Sequence, residues 1–189
     1  MGKPVFISLV GNDKGTDTLY KRLETKLPQA FPGLNCAFLG DPFEEYPNLR
    51  IANKRKREYT PGARMFFRWG FFYEFNSIIV KNVFDDGADI VVVRKFGFDL
   101  YAGAIAFQDC DRSLAMHHAL IPHGIIQFGI IPPLYVFTEK IGEKTKEAHK
   151  RYFAVEGQES TKINPRSPLP KKADSIIGIV RERLQQRRT

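Results

Sequence analysis

Pro4–Leu23 reads PVFISLVGNDKGTDTLYKRL, and the division of this stretch decides the fold. An apolar run, Val5 to Val10, stops abruptly at Gly11. A short continuous run of this kind is the pattern of a strand buried on both faces, as in a parallel sheet. A polar loop, GNDKGTDT, follows. Leucines then recur at Leu19, Leu23 and Leu27, which is helical spacing. The predicted helix spans Asp17–Pro28, with Pro28 ending it.

Strand, small-residue loop and helix together form the layout of a phosphate-binding P-loop. There the backbone N–H groups of the loop and the helix N-terminus face an anion. A working loop reads GxxxxGK[ST]. Its second Gly lets the backbone approach the phosphates, and its Lys neutralises them. Counted from Gly11, the second Gly position holds Thr16 and the Lys position holds Asp17. Thr18 alone keeps its type, as the hydroxyl that would hold Mg²⁺. A carboxylate aimed at a triphosphate repels it. The plainer reading of Asp17 is a cap or first-turn acid, favourable at a helix N-terminus. Such an acid also occupies the place a bound phosphate would take.

The rest of the chain fits one domain, 1–189, with a sizeable core. Hydrophobic residues make up 43% and aromatics 13%, which argues for a packed globule rather than a disordered chain. The net charge of +8 leans toward phosphate-bearing partners or an acidic surface. Cys36 and Cys110 have no metal-site spacing and read as free thiols in a cytoplasmic or other reducing compartment. No signal peptide and no membrane-spanning run is expected. His117, His118, His123 and His149 are too scattered for a metal site.

Further strands are predicted at Ala37–Leu39, Asp89–Val93, Leu134–Thr138 and Phe153–Val155. Helices are predicted at Pro61–Asp86, Phe98–Leu120, Ile141–Arg151 and Ala173–Gln186, with 121–131 read as a connecting segment. The KRKRE cluster at Lys54–Glu58 reads first as a solvated face and second as a phosphate contact. Alternating strands and helices give a three-layer α/β fold: a mostly parallel five-stranded sheet with helices on both faces. Arg94 and Lys95 then fall at the carboxyl end of a strand, beside the Gly11–Thr18 loop, where ligands of open α/β sheets bind.

The chain resembles the thymidylate kinases of the nucleoside-monophosphate kinase group. VGNDKGTDTL (Val10–Leu19) stands where the family has a loop of the type EGxDGxGKST, and Asp13 is kept. Asp41-Pro42 fits an acidic-Pro step. Met65 through FYEF (Phe72–Phe75), then DDGADIVVVRKFGFDLYAGA (Asp85–Ala104), match the long helix and the segment carrying a DRY triplet. PPLYVFTEKIGEKTKEA (Pro132–Ala148) and YFAVEGQEST (Tyr152–Thr161) match the later landmarks. The departures fall at working positions. The loop Lys is Asp17, the Arg of the long helix falls at Phe72, and the DRY Asp is lost, although Arg94 survives in one register. The arginine-bearing lid is reduced to Lys144–Arg151.

Two readings follow from this resemblance. In the first, the protein is a non-catalytic or very weakly active descendant of the kinase fold, a pseudokinase. It would meet a partner, a nucleic acid or a larger assembly, through Lys54–Arg57, Lys144–Arg151 and Arg181–Arg188. The alternative is a divergent kinase transferring phosphate from ATP to dTMP. In that case Gly11, Asn12, Asp13, Lys14, Gly15, Thr16, Asp17 and Thr18 bind nucleotide, and Lys14, Arg94 and Lys95 supply catalytic cations. Thr18, with Asp13, serves Mg²⁺, and Asp41, Phe72 and Tyr73 border the acceptor. A homodimer through the Phe-rich Arg64–Val83 face is also consistent with the resemblance.

Overall fold

The computed structural model describes residues 4–11, 13–40, 59–60, 63, 81, 85–94, 134–139, 143–154 and 159–186. Five strands form one sheet: β1 (Val5–Val10), β2 (Cys36–Leu39), β3 (Ile90–Arg94), β4 (Leu134–Phe137) and β5 (Glu159–Lys162). Their order is β2-β3-β1-β4-β5, and every pairing is parallel. Three helices are described: α1 (Asp13–Ala30), α2 (Glu143–Tyr152) and α3 (Leu169–Gln186). This is a P-loop kinase-like α/β arrangement.

Position in the sheet explains the composition of each strand. The central strands β1, β3 and β4 are buried at every residue and read as near-continuous apolar runs. The edge strand β5, ESTK, is polar and largely exposed. A charged edge discourages pairing with another chain.

Side chains alternate along a strand, so the sheet has two faces. Val5, Ile7 and Leu9 of β1 share one core with Ile90, Val92, Leu134 and Val136. Leu19, Leu23 and Leu27 of α1 and Ala173, Ile176, Ile177 and Val180 of α3 cover that face. The other face receives α2. Tyr135 meets Tyr152 and Phe153, with ring centroids 5.7 and 5.3 Å away, and Phe137 meets His149 at 4.9 Å. The buried hydroxyls of Tyr135 and Tyr152 are 2.9 Å apart.

Three expected boundaries are corrected. Helix α1 begins at Asp13 rather than Asp17, and it runs through Pro28 to Ala30. A proline so near the end removes one hydrogen bond without breaking the helix. The fifth strand is Glu159–Lys162, not Phe153–Val155. The apolar Tyr152 and Phe153 instead close α2, where the Phe153 N–H donates to the His149 carbonyl at 3.1 Å. Helix α3 starts at Leu169 rather than Ala173, its first turn closed by the Lys172 N–H on the Pro168 carbonyl at 3.0 Å. Pro170 is tolerated there because first-turn N–H groups have no partner within the helix.

The long helix expected at Pro61–Asp86 is described only near its ends. Thr60 Oγ1 accepts the Ala63 N–H at 3.3 Å. The Asp85 N–H donates to the Lys81 carbonyl at 2.8 Å, and Gly87 then takes a left-handed φ of 65°. The helix expected at Phe98–Leu120, the 121–131 segment and the proposed dimer face otherwise lie outside the described residues.

Candidate functional site

The ends of three neighbouring strands meet at one level. Leu9 of β1 is in register with Arg94, the last residue of β3. Val10 is in register with Phe137, the last residue of β4. The sheet order puts β1 between β3 and β4, so the chain crosses over β1 when it passes from β3 to β4. That is a topological switch point, and the crevice over the carboxyl end of β1 is where such folds bind ligands.

At Gly11 two side chains of the chain approach the backbone closely. Gly11 follows β1 directly, and a β-carbon there would overlap the hydroxyl oxygens of Thr138 and Thr16. Thr16 is 3% exposed, and its Oγ1 lies 3.4 Å from Thr138 Oγ1. Thr138 is fixed in turn by two contacts to the Val10 carbonyl, from its N–H at 2.9 Å and its Oγ1 at 3.1 Å. Because α1 starts at Asp13, Lys14 through Thr18 are helical and do not form an irregular loop. Only first-turn N–H groups point out of a helix N-terminus; later ones are bonded within it.

Asp17 is committed as well. Asp17 lies in the second turn of α1, and its carboxylate pairs with the Arg94 guanidinium. Arg94 is 5% exposed, which is rare for an arginine unless it is paired. The expected cap role of Asp17 therefore gives way to an ion pair across α1 and β3. Thr18 is exposed and its Oγ1 donates to the Lys14 carbonyl at 3.0 Å. Lys14 is exposed and Gly15 half-buried. Asp13 is the first residue of α1. Asn12, Asp41, Phe72, Tyr73 and Lys95 lie outside the described residues, as does the side chain of Asp13.

Two residues of this neighbourhood escape a reading of the sequence. One is Thr138, which follows the apolar LYVF of β4; a polar residue at that place in a parallel sheet is a usable signal. The other is Lys172 of α3, whose Nζ donates to the Thr138 carbonyl at 2.9 Å. Lys172 gave no signal, because its helix begins before the expected start. Among the described residues, no group of three or more His, Cys, Asp or Glu is placed to hold a metal ion. No described helix is long and apolar enough to cross a membrane.

Comparison of the whole fold with solved structures places it. It is similar to a thymidylate kinase. The crystal structure of thymidylate kinase from Ehrlichia chaffeensis superposes with a TM-score of 0.70 at 14% identity, over 95% of this chain and 99% of that one. At that identity the likeness shows the fold. No family model matches the chain, and no curated protein does.

Proposed function

We propose that this protein is a descendant of the thymidylate-kinase fold whose phosphate site has closed, and that it works as a binding or structural protein with little or no phosphorylation of dTMP by ATP. One observation carries the reading: α1 begins at Asp13, and Thr16 and Thr138 fill the space over Gly11. Phosphoryl transfer depends on positioned donors and cations around the phosphates. Here the backbone donors of Asp17 and Thr18 are inside a helix, and the loop cation is replaced by a carboxylate. Among the described residues, the place of the loop cation holds Asp17, whose carboxylate pairs with Arg94, so the second turn of α1 offers a polyphosphate no neutralising side chain.

The alternative is a divergent dTMP kinase, and one observation favours it. Lys14 is exposed in the first turn of α1, where a cation has access to solvent and to an incoming phosphate. A coupled assay with dTMP, ATP and Mg²⁺ decides between the two. Turnover of about 1–100 s⁻¹, the ordinary range for kinases, would overturn the first reading. The Asp17→Lys variant separates causes: recovered turnover would make the loop charge the sole defect, whereas continued inactivity points to the closed backbone.

A partner would meet the basic surface. Part of that surface already has contacts within the chain. Arg181 lies over the Phe31 ring at 5.9 Å, Arg183 pairs with Glu159, and Arg151 pairs with Glu147 at 2.7 Å. A nucleic-acid partner held through phosphates must weaken as salt rises.

A further inference from the structure

The outward face of α1 carries cations and no acid. Lys14, Thr18, Lys21, Arg22, Thr25 and Gln29 are exposed and recur at intervals of three or four residues, so they form one row along the helix. The opposite side, Leu19, Leu23 and Leu27, is buried in the core. Glu24 is exposed on one flank, off the row. Among the described residues Lys14, Lys21 and Arg22 make no ion pair, unlike Lys26, Arg151 and Arg183. On α3, by contrast, the exposed cations Lys171 and Arg181 are interspersed with the exposed acids Asp174 and Glu182, as on an ordinary solvated helix. Lys21 and Arg22 stand about 10 Å along α1 from Lys14, away from the crevice at Gly11.

We propose that this face of α1 binds the phosphate backbone of a nucleic acid. The inference rests on the reading of a binding protein and names the partner and the surface that meets it. Lys, Arg, Thr and Gln are side chains that contact phosphates without reading bases. A row about 22 Å long faces several phosphates of a duplex. A membrane surface does not suit it, because a helix lying on lipid inserts its apolar side, and that side of α1 is packed against the sheet. A protein partner would be met by aromatic or arginine anchors in a dry pocket, and the row lies open to solvent with no aromatic side chain. Binding through this face is electrostatic and indifferent to base sequence.

The test titrates the full-length protein into fluorescent DNA and RNA duplexes of about 20 base pairs, by anisotropy, at about 50–300 mM potassium chloride. Affinity for one or both should fall as salt rises. Lys21→Gln/Arg22→Gln should reduce the slope of log affinity on log salt by about 2 and weaken binding at least about tenfold near 100 mM salt. Both side chains are exposed, so the melting temperature checks that the variant is folded. Lys21→Glu/Arg22→Glu should weaken binding further. Lys150→Gln/Lys171→Gln removes the same charge from α2 and α3 and should change affinity by less than about threefold. Three results each overturn the proposal: no salt-dependent binding to either duplex, an equal loss in the Lys150 and Lys171 variant, or equal affinity for phosphatidylserine vesicles or polyglutamate. The closed-site reading fails separately, through turnover of dTMP, which these titrations do not touch.

Discussion

Asp17 of α1 and Arg94, the last residue of β3, form an ion pair at the carboxyl end of that strand. Breaking such a pair from one side leaves the other charge buried. Asp17→Ala should cost about 3 kcal/mol, the low end for a buried pair because Asp17 keeps contact with water. Replacing both partners, as in Asp17→Ala/Arg94→Met, should cost less than the sum of the single changes. Denaturant unfolding of the four proteins of this cycle measures the coupling. Strict additivity would mean that the pair contributes nothing.

Gly11 is required for closeness rather than for backbone conformation. A β-carbon there overlaps the Thr16 and Thr138 hydroxyls, and both of those residues are held by packing or by hydrogen bonds. Gly11→Ala should therefore destabilise by about 1–3 kcal/mol, as overpacking does. Adding Thr138→Ala should recover part of that loss, although it removes the hydroxyl's bond to the Val10 carbonyl. A Gly11→Ala protein as stable as the unaltered one would mean that the crevice has room to spare.

His149 gives the fold a dependence on pH. Its ring packs against Phe137 at 4.9 Å and Phe153 at 4.7 Å. Burial, and secondarily the charge of Lys162, hold its pKa below the ordinary histidine value. A lowered value in the folded state means that the unfolded chain binds the extra proton more readily. The stabilising effect is present above about pH 6.5 and is lost as pH falls through that value toward the lower folded one. His149→Phe should lose less stability than the unaltered protein between about pH 7 and pH 5. Parallel loss in both proteins would contradict this assignment.

Cys36 should react slowly. Burial, followed by the negative charge of Asp89, raises its pKa above the ordinary thiol value, so little thiolate is present near neutral pH. In a Cys110→Ser background, alkylation at about pH 8 should be slower than that of a free cysteine. Asp89→Asn should speed it by removing the nearby charge while keeping a side-chain oxygen for the Asn35 N–H, which the carboxylate accepts at 2.9 Å. Reactivity unaffected by Asp89→Asn would leave burial as the whole cause.

The central strands were legible because burial on both faces imposes continuous apolar runs, as in VFISLV and IVVVR. Edge strand β5 was not legible. ESTK carries no apolar signal, while the stretch Phe153–Val155 imitates a strand although Phe153 packs its ring against Tyr135 and Phe137 of β4. At the site, the sequence placed Arg94 beside the Gly11–Thr18 stretch and marked Asp17 as the residue out of keeping with a phosphate loop. It did not reveal that Asp17 would turn to Arg94, because that contact depends on an early helix start that local preference left open. Thr138 and Lys172 join the neighbourhood only through tertiary packing.

Crystals of the protein soaked with ADP and Mg²⁺ test the closure most directly. The expected result is an undisturbed crevice, with Thr16 and Thr138 over Gly11, Asp17 on Arg94, and no phosphate at the start of α1. A β-phosphate seated on that helix end, with Arg94 turned from Asp17 toward it, would contradict the account.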